Sequence, residues 1–371
     1  MSGFRAGAAT GRDGMAAVAA AWARLGPMPR GANLGFLYLS EAAAGAFPDA
    51  LAWLQRASGV AAWIGGVGLG VVGDGLEAVD APAASLMMAA LPEDGFRTFR
   101  LRDPAAATLP GDGRGWLVQA NPALALVHGD PRDQALPALL ESVAAGSGAF
   151  LVGGLMATAA PAVHCAGAPQ VGGVSGALFG AAVAVATGLT QGCRPIGPHR
   201  RVTAADGNVV VSLDGRPALE ALLEDIGPAL AADLRRAAGR VHVAFPVAGS
   251  DRADYLVRNL MAIDPERGWV AVGEAVAAGD TLFFCARDRD SATRDLERML
   301  ADLKRRGGEG ARGAVYCSCI ARGPNLFGPD AAEMAAIRAA LGPVPIAGFF
   351  ANGEIFHTRL YGYTGILTLF L

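Results

Sequence analysis

The eleven residues from Gly188 to Pro198 gather Gln191, Cys193 and Arg194 among three glycines and two prolines. Gly192 and Gly197 reach backbone angles that other residues avoid, while Pro195 and Pro198 fix φ and remove donors. The spacing reads as a rigid loop, not a helix or a mid-sheet strand. Such a loop is either a tight connection or a platform for polar groups. Two later stretches are as dense. Cys317-Ser318-Cys319-Ile320-Ala321-Arg322-Gly323 ends an apolar run with a thiol, an arginine and a glycine. Gly348-Phe349-Phe350-Ala351-Asn352-Gly353-Glu354-Ile355 sets a glutamate after an Asn-Gly pair, which reads as a hairpin turn. An arginine fork grips a carboxylate through two parallel hydrogen bonds, and a glutamate or asparagine accepts from an ammonium group. Arg322 with Glu354 is therefore a candidate receptor for a zwitterion such as an amino acid. The competing reading is a salt bridge between the two that ties strands together. The expectation is one cleft lined by Arg194, Arg322, Asn352 and Glu354, with Cys193 and Cys319 at its wall.

A thiol beside a cation favours thiolate, so Cys193 with Arg194 and His199 is the best offer for nucleophilic chemistry. A free cysteine is more often a small buried hydrophobe. The five cysteines, Cys165, Cys193, Cys285, Cys317 and Cys319, show neither disulfide-framework nor zinc spacing. Reduced thiols in a cytoplasmic protein fit that count. No metal or cofactor is implied. Gly66, Gly68 and Gly70 imitate a dinucleotide fingerprint, but the following residues do not open a helix. Net charge is -3 and basic patches interleaved with aromatics are absent, which gives no support to nucleic-acid binding.

These stretches need positioning elements, and 371 residues with 52% hydrophobic content supply a core for two domains. Helices are expected at Gly14–Leu25, Phe47–Ala57, Asp133–Ala145, Pro217–Leu223, Pro228–Ala238, Ser291–Arg306 and Asp330–Leu341. Strands are expected at Leu34–Ser40, Val60–Ile64, Gly115–Ala120, Phe150–Met156, Gly172–Ala177, Leu178–Leu189, Arg240–Phe245, Tyr255–Ala262, Trp269–Val272, Thr281–Ala286, Ala314–Ile320, Val344–Phe350 and Ile366–Phe370. Gly65–Gly68 reads as a close-approach turn. Ala84–Leu91 and Phe96–Leu101 read as partners across Pro92–Gly95, and Arg200–Ala204 with Asn208–Leu213 as a hairpin across Asp206-Gly207. No Asp, Glu, Lys or Arg occurs from Ser142 to Cys193. Glycines and Pro161 break that stretch, so it reads as buried strands and not a membrane span. The N-terminus lacks the apolar core of a signal peptide. Helices mixed with hairpins predict an α+β protein of two tandem domains, with mixed, largely antiparallel sheets covered by helices.

At these residues the chain resembles the FIST domain family, named for F-box and intracellular signal transduction proteins. The resemblance rests on Gln191–Gly197, Val202-Thr203, Asn208 and Leu213-Asp214-Gly215-Arg216-Pro217-Ala218. Ser318–Gly323 and Gly348–Ile355 are similar to the C-terminal half. It implies an N-terminal helix and linker over 1–30, a FIST N-terminal domain over 31–213 and a FIST C-terminal domain over 214–371. It further implies a standalone sensory module that binds a small ligand such as an amino acid through Gln191, Cys193, Arg194, Cys319, Arg322, Asn352 and Glu354. A separate signalling partner would receive the signal, since the chain leaves no room for an output domain. The alternative is a cysteine-dependent enzyme acting on a small metabolite through Cys193 or Cys319.

Overall fold

A computed structural model describes residues 3–105, 114–157, 163–232, 240–247 and 255–371. By packing, the chain forms two compact units, residues 1–190 with 296–371 and residues 191–295. The class is α+β, with mixed and antiparallel sheets.

The larger unit is built from one strand pattern used three times. In the first repeat, β1 (Phe4–Thr10) leads into α1 (Gly14–Leu25) and β2 (Leu34–Ser40). Then α2 (Phe47–Ser58) returns the chain to β3 (Trp63–Gly68). A short hairpin, β4 (Gly70–Gly73) and β5 (Leu76–Val79), precedes β6 (Ala83–Ala89). The second repeat runs β7 (Phe96–Leu101), α3 (Arg114–Ala120), β8 (Leu124–Gly129), α4 (Leu136–Ser147) and β9 (Phe150–Leu155). Its hairpin is β10 (Val163–Ala166) with β11 (Pro169–Val171), and β12 (Val174–Phe179) closes it. The third opens with β13 (Val185–Gln191), after which the smaller unit is inserted.

The smaller unit holds one sheet. Its strands are β14 (Cys193–Pro195), β15 (Arg200–Asp206), β16 (Val209–Leu213), β17 (Arg216–Pro217), β18 (Val241–Pro246), β19 (Tyr255–Asp264), β20 (Trp269–Val272) and β21 (Thr281–Arg287). Helix α5 (Ala218–Ile226), followed by the single turn α6 (Pro228–Ala231), buries Ala218, Leu219 and Leu222 with Val210, Val243, Val270 and Phe284. The rest of the helix expected through Ala238 lies outside the described residues.

The third repeat resumes with α7 (Arg289–Arg305), β22 (Gly313–Cys319), the single turn α8 (Pro324–Phe327), α9 (Ala332–Leu341) and β23 (Ile346–Ala351). It ends with the hairpin β24 (Glu354–Phe356) and β25 (Arg359–Tyr361), then β26 (Thr364–Phe370).

The three six-stranded sheets have equivalent orders: β1-β6-β2-β3-β10-β11, β7-β12-β8-β9-β24-β25 and β13-β26-β22-β23-β4-β5. Each centres on a parallel pair, β2 with β3, β8 with β9, or β22 with β23, flanked by antiparallel neighbours. Each repeat keeps its own first, central and last strands but gives its hairpin away. The first repeat's hairpin joins the third sheet, the second's joins the first, and the third's joins the second. The exchange is cyclic.

One glycine register recurs with the pattern. Gly65 stands opposite Leu37, Gly153 opposite Val127 and Gly348 opposite Tyr316. A Cβ there would lie 1.9, 1.9 and 1.8 Å from the opposing carbonyl oxygens. Only glycine admits so close an approach. The same strands alternate faces. Leu37 and Leu39 pack on α1 and α2, and Val127 and Leu151 pack on α4. Tyr38 and His128, each one residue on, meet Phe349 at ring-centroid distances of 4.8 to 5.8 Å.

Several sequence expectations are corrected by this architecture. Gly65–Gly68 is strand, not turn. The strands after Ala83 and Phe96 belong to different sheets, although Gly95 N does donate to Pro92 O as a turn requires. Arg114–Ala120 is a helix, because a short apolar run carries no decisive period. The run from Leu178 to Leu189 breaks after Phe179 and resumes at Val185. Asn352-Gly353 joins β23 to β24 across two sheets and closes no hairpin. Cys193–Pro195 is a short edge strand on β21, not a free loop. Strand β1 lies outside the elements that the residue pattern predicts. No helix among the described residues is long and apolar enough to cross a membrane.

Candidate functional site

The residues singled out by sequence fall in both units. In the smaller one, the Gln191 amide N donates to Asp295 Oδ2 at 2.6 Å, and its side-chain Nε2 donates to the Tyr255 carbonyl. The Tyr255 hydroxyl donates to the Cys193 carbonyl at 2.6 Å. Arg194 Nε donates to Asp288 Oδ2 at 3.1 Å, and about half of the Arg194 side chain is exposed. These contacts hold the exit of the chain from β13 against its return at α7. The Leu213–Pro217 motif has structural work as well. Asp214 adopts φ 52 in the turn and accepts from Arg201 N. Its other oxygen helps pair the buried Arg200, which is held mainly by Asp225.

In the larger unit, Glu354 and Cys319 are neighbours. Glu354 is fully buried on β24. Its Oε1 accepts from Gly353 N, and its Oε2 accepts from Thr364 N and, at 2.7 Å, from the Thr364 hydroxyl. The Cys319 thiol also bonds to it, but burial outweighs these donors and raises the carboxyl to about 7. Burial likewise pushes up the thiols of Cys165, Cys317 and Cys319, and Cys285 is raised first by its bond with Cys193 and then by burial. All four are held as thiols at neutral pH, the wrong form for a nucleophile. Asn352 is exposed on the link between sheets.

Arg322 does not pair with Glu354. It is fully buried beyond the end of β22, and its partner is Glu333 on α9. Arg322 Nε donates to Glu333 Oε1 at 2.8 Å. The Tyr316 hydroxyl donates to the same oxygen at 2.7 Å. Glu333 Oε2 accepts from the Ser318 hydroxyl and from Gly323 N, both at 3.1 Å. Glu333 is thus saturated with donors. Arg322 is not. Its Nη2 touches Glu333 Oε1 at 2.6 Å off the hydrogen-bonding direction, and among the described residues neither Nη has an aligned acceptor. The guanidinium carbon lies 5.2 Å from the Phe327 ring centroid.

Glu77, from the hairpin that the first repeat gives to this sheet, completes the cluster. Its Oε1 accepts from Met334 N at 2.7 Å, near the start of α9. Its Oε2 is buried and has no hydrogen-bond partner among the described residues. Burial first, and the nearby Glu333 charge, raise this carboxyl to about 7 against the pull of Met334 N and Arg322. Neither acid stands out in the residue pattern. Glu333 sits in a polar helix start that reads as a solvated face, and Glu77 in a four-residue strand. Among the described residues, no group of three or more His, Cys, Asp or Glu side chains is placed to hold a metal ion.

Comparison with known proteins settles the family. The FIST N domain profile matches residues 33–216 and the FIST C domain profile residues 218–357. The chain belongs to the FIST family. FIST domains are signal-transduction sensor domains. An uncharacterized protein of Mycobacterium tuberculosis is 38% identical over 200 residues, and one of Mycobacterium bovis is 36% identical over 196. Each match covers 49% of this chain and 50% of the relative, so the chain spans about half the length of the curated relatives it matches. The two FIST profiles meet at 216 and 218, whereas packing divides the chain after Thr190 and after Asp295. The FIST C profile thus begins inside the inserted unit and ends in the third repeat.

Proposed function

We propose that this FIST protein is a cytoplasmic sensor that binds a small ligand of the amino-acid class and passes the signal to a separate protein partner. The tandem FIST match supports the sensory role. The observation that carries the ligand reading is Arg322. A buried guanidinium whose Nη atoms lack aligned acceptors leaves strong donors unsatisfied, at a cost of about 1–3 kcal/mol or more for a charged group. A ligand carboxylate supplies two acceptors in the geometry of the fork. Gln191, Cys193, Arg194, Cys319, Asn352 and Glu354 stay in the proposal as residues whose substitution alters ligand response. A ligand that binds only the folded state raises the melting temperature by mass action. A thermal-shift screen of the amino acids and related metabolites should therefore find at least one ligand that stabilises the wild-type protein. Arg322→Lys, which keeps the charge and removes the fork, should abolish that shift. A screen in which nothing stabilises the protein overturns the reading.

A further inference from the structure

Two buried groups in one cluster lack opposite kinds of partner. Arg322 offers donors without an aligned acceptor, and Glu77 Oε2 is an acceptor without a donor. Arg322 lies in the turn that follows β22, and Glu77 Oε2 approaches the same turn. A Cβ on Gly323, the residue after Arg322, would stand 3.2 Å from Glu77 Oε2. Each sits on a different element: Arg322 follows β22, while Glu77 comes from the β4–β5 hairpin. That hairpin is tied to α9 twice, by Glu77 Oε1 at Met334 N and by Asp74 with Arg338 Nη1 at 2.9 Å. Glu333, the other acid beside Arg322, has no oxygen to spare. Both accept from protein donors, Oε1 from Tyr316 and Arg322 and Oε2 from Ser318 and Gly323. The backbone beside the cluster is strained, with Asp330 and Ala331 at φ 66 and 52.

We infer that Arg322 and Glu77 form the two poles of a zwitterion site, with Arg322 taking the ligand's carboxylate and Glu77 its ammonium group. This deepens the proposed function and rests on it, moving the acidic pole from Glu354 to Glu77. Glu354 is a poor acidic pole, because both its oxygens already accept from Gly353 and Thr364. Glu77 is half-buried while Arg322 is fully buried, so a ligand enters past the acid with its carboxylate leading. An incoming ammonium also supplies the donor that Glu77 Oε2 lacks. Without it, burial keeps the carboxyl partly protonated at neutral pH.

The test uses the twenty standard amino acids on the full chain, by thermal shift and then calorimetry. The best binder is compared with its carboxylate-only and amine-only counterparts. The wild type should bind the zwitterion at least tenfold more tightly than either. Glu77→Gln keeps an acceptor for Met334 N and removes the charge. It should cost at least tenfold in zwitterion affinity and leave the carboxylate-only compound unchanged. Asp74→Asn removes the charge from the other tie between hairpin and α9 and should leave binding intact, which separates a lost pole from a loosened hairpin. If Arg322→Lys abolishes binding and Glu77→Gln does not, this inference falls and the sensory reading stands. If Asp74→Asn weakens binding as much as Glu77→Gln, Glu77 acts through the hairpin and the inference also falls. If no amino acid binds the wild type, both fall together.

Discussion

Arg322 shows what a single residue's type does and does not disclose. Its chemistry was legible, because an arginine after a buried strand in a run of special residues signals ion pairing or anion binding. Its partner was not legible. Glu333 is eleven residues away and Glu354 thirty-two, and sequence contains no distance between them. The pair should be sensitive to one-sided removal. Glu333→Gln leaves the buried guanidinium without its counter-charge and should destabilise by about 3–5 kcal/mol, measured by urea denaturation. Glu354 makes a prediction of opposite character. Its folded-state pKa of about 7 exceeds the ordinary 4.5, so its contribution is most favourable below pH 4.5. That contribution declines as pH rises to 7 and is flat above, a change on the order of 3 kcal/mol. Glu354→Gln should remove that decline, seen as a smaller stability difference between pH 5 and pH 7.5. His128 acts in the other direction. Burial first, with repulsion from His164, lowers it to about 3 from 6.5. Its neutral form therefore stabilises above pH 6.5, and that contribution shrinks as pH falls, by about 3 kcal/mol at pH 4. His128→Phe keeps ring contacts with Tyr38 and Phe349 but leaves the Tyr38 hydroxyl without its 3.1 Å partner. It should be less stable at pH 7 and lose less stability between pH 6.5 and pH 4.

Elements with one strong period were readable, and those defined by partners were not. The helix at Gly14–Leu25 and the apolar face of α7 follow from spacing alone. Asn352-Gly353 carries the residue chemistry of a hairpin, yet the strands it joins pair elsewhere, because pairing is a tertiary choice. The same applies to the strands on either side of Pro92–Gly95. Gly65-Gly66 was visible as part of a glycine-rich segment, but the register that it shares with Gly153 and Gly348 was not. A Cβ at Gly65, Gly153 or Gly348 would overlap a carbonyl oxygen of the parallel partner strand. Alanine at any of the three should therefore destabilise by more than about 3 kcal/mol, beyond the ordinary range for a surface substitution. Alanine at Gly207, whose Cβ would meet nothing within 4 Å, should cost only the strain of its φ of 59. Melting temperatures of the four variants make the comparison.

At the scale of the whole molecule, α+β was legible from the mixture of hairpins and helices, whereas the rise in charge near Asp214 falls inside the smaller unit, which packing bounds at 191 and 295. The threefold reuse of one sheet was hidden, because the repeats share register and connectivity more than residues. The insertion between β13 and α7 was hidden for the same reason. Chain exit and return are close within the inserted unit, where Cys193 pairs with Arg287 and the Gln191 amide reaches Asp295. Replacing residues 192–288 by a short glycine-serine linker should accordingly leave a cooperative unfolding transition and near-ultraviolet dichroism from the three sheets. Loss of both would mean that the three sheets need the insertion in order to form. The cyclic exchange of hairpins has a kinetic consequence. None of the three six-stranded sheets is complete with the residues of one repeat, and the last closure pairs Gly73 with Ala347, 274 positions apart in a chain of 371. Ends so far apart in sequence must meet before their contacts reward the entropy of the loop between them, so the chain should refold slowly for its size. Until the final hairpin docks, the second sheet exposes β9 as a bare edge, and a neighbouring molecule's β24–β25 can fill it as well as the chain's own. Refolding at high concentration should therefore yield exchanged dimers that dilution does not readily reverse.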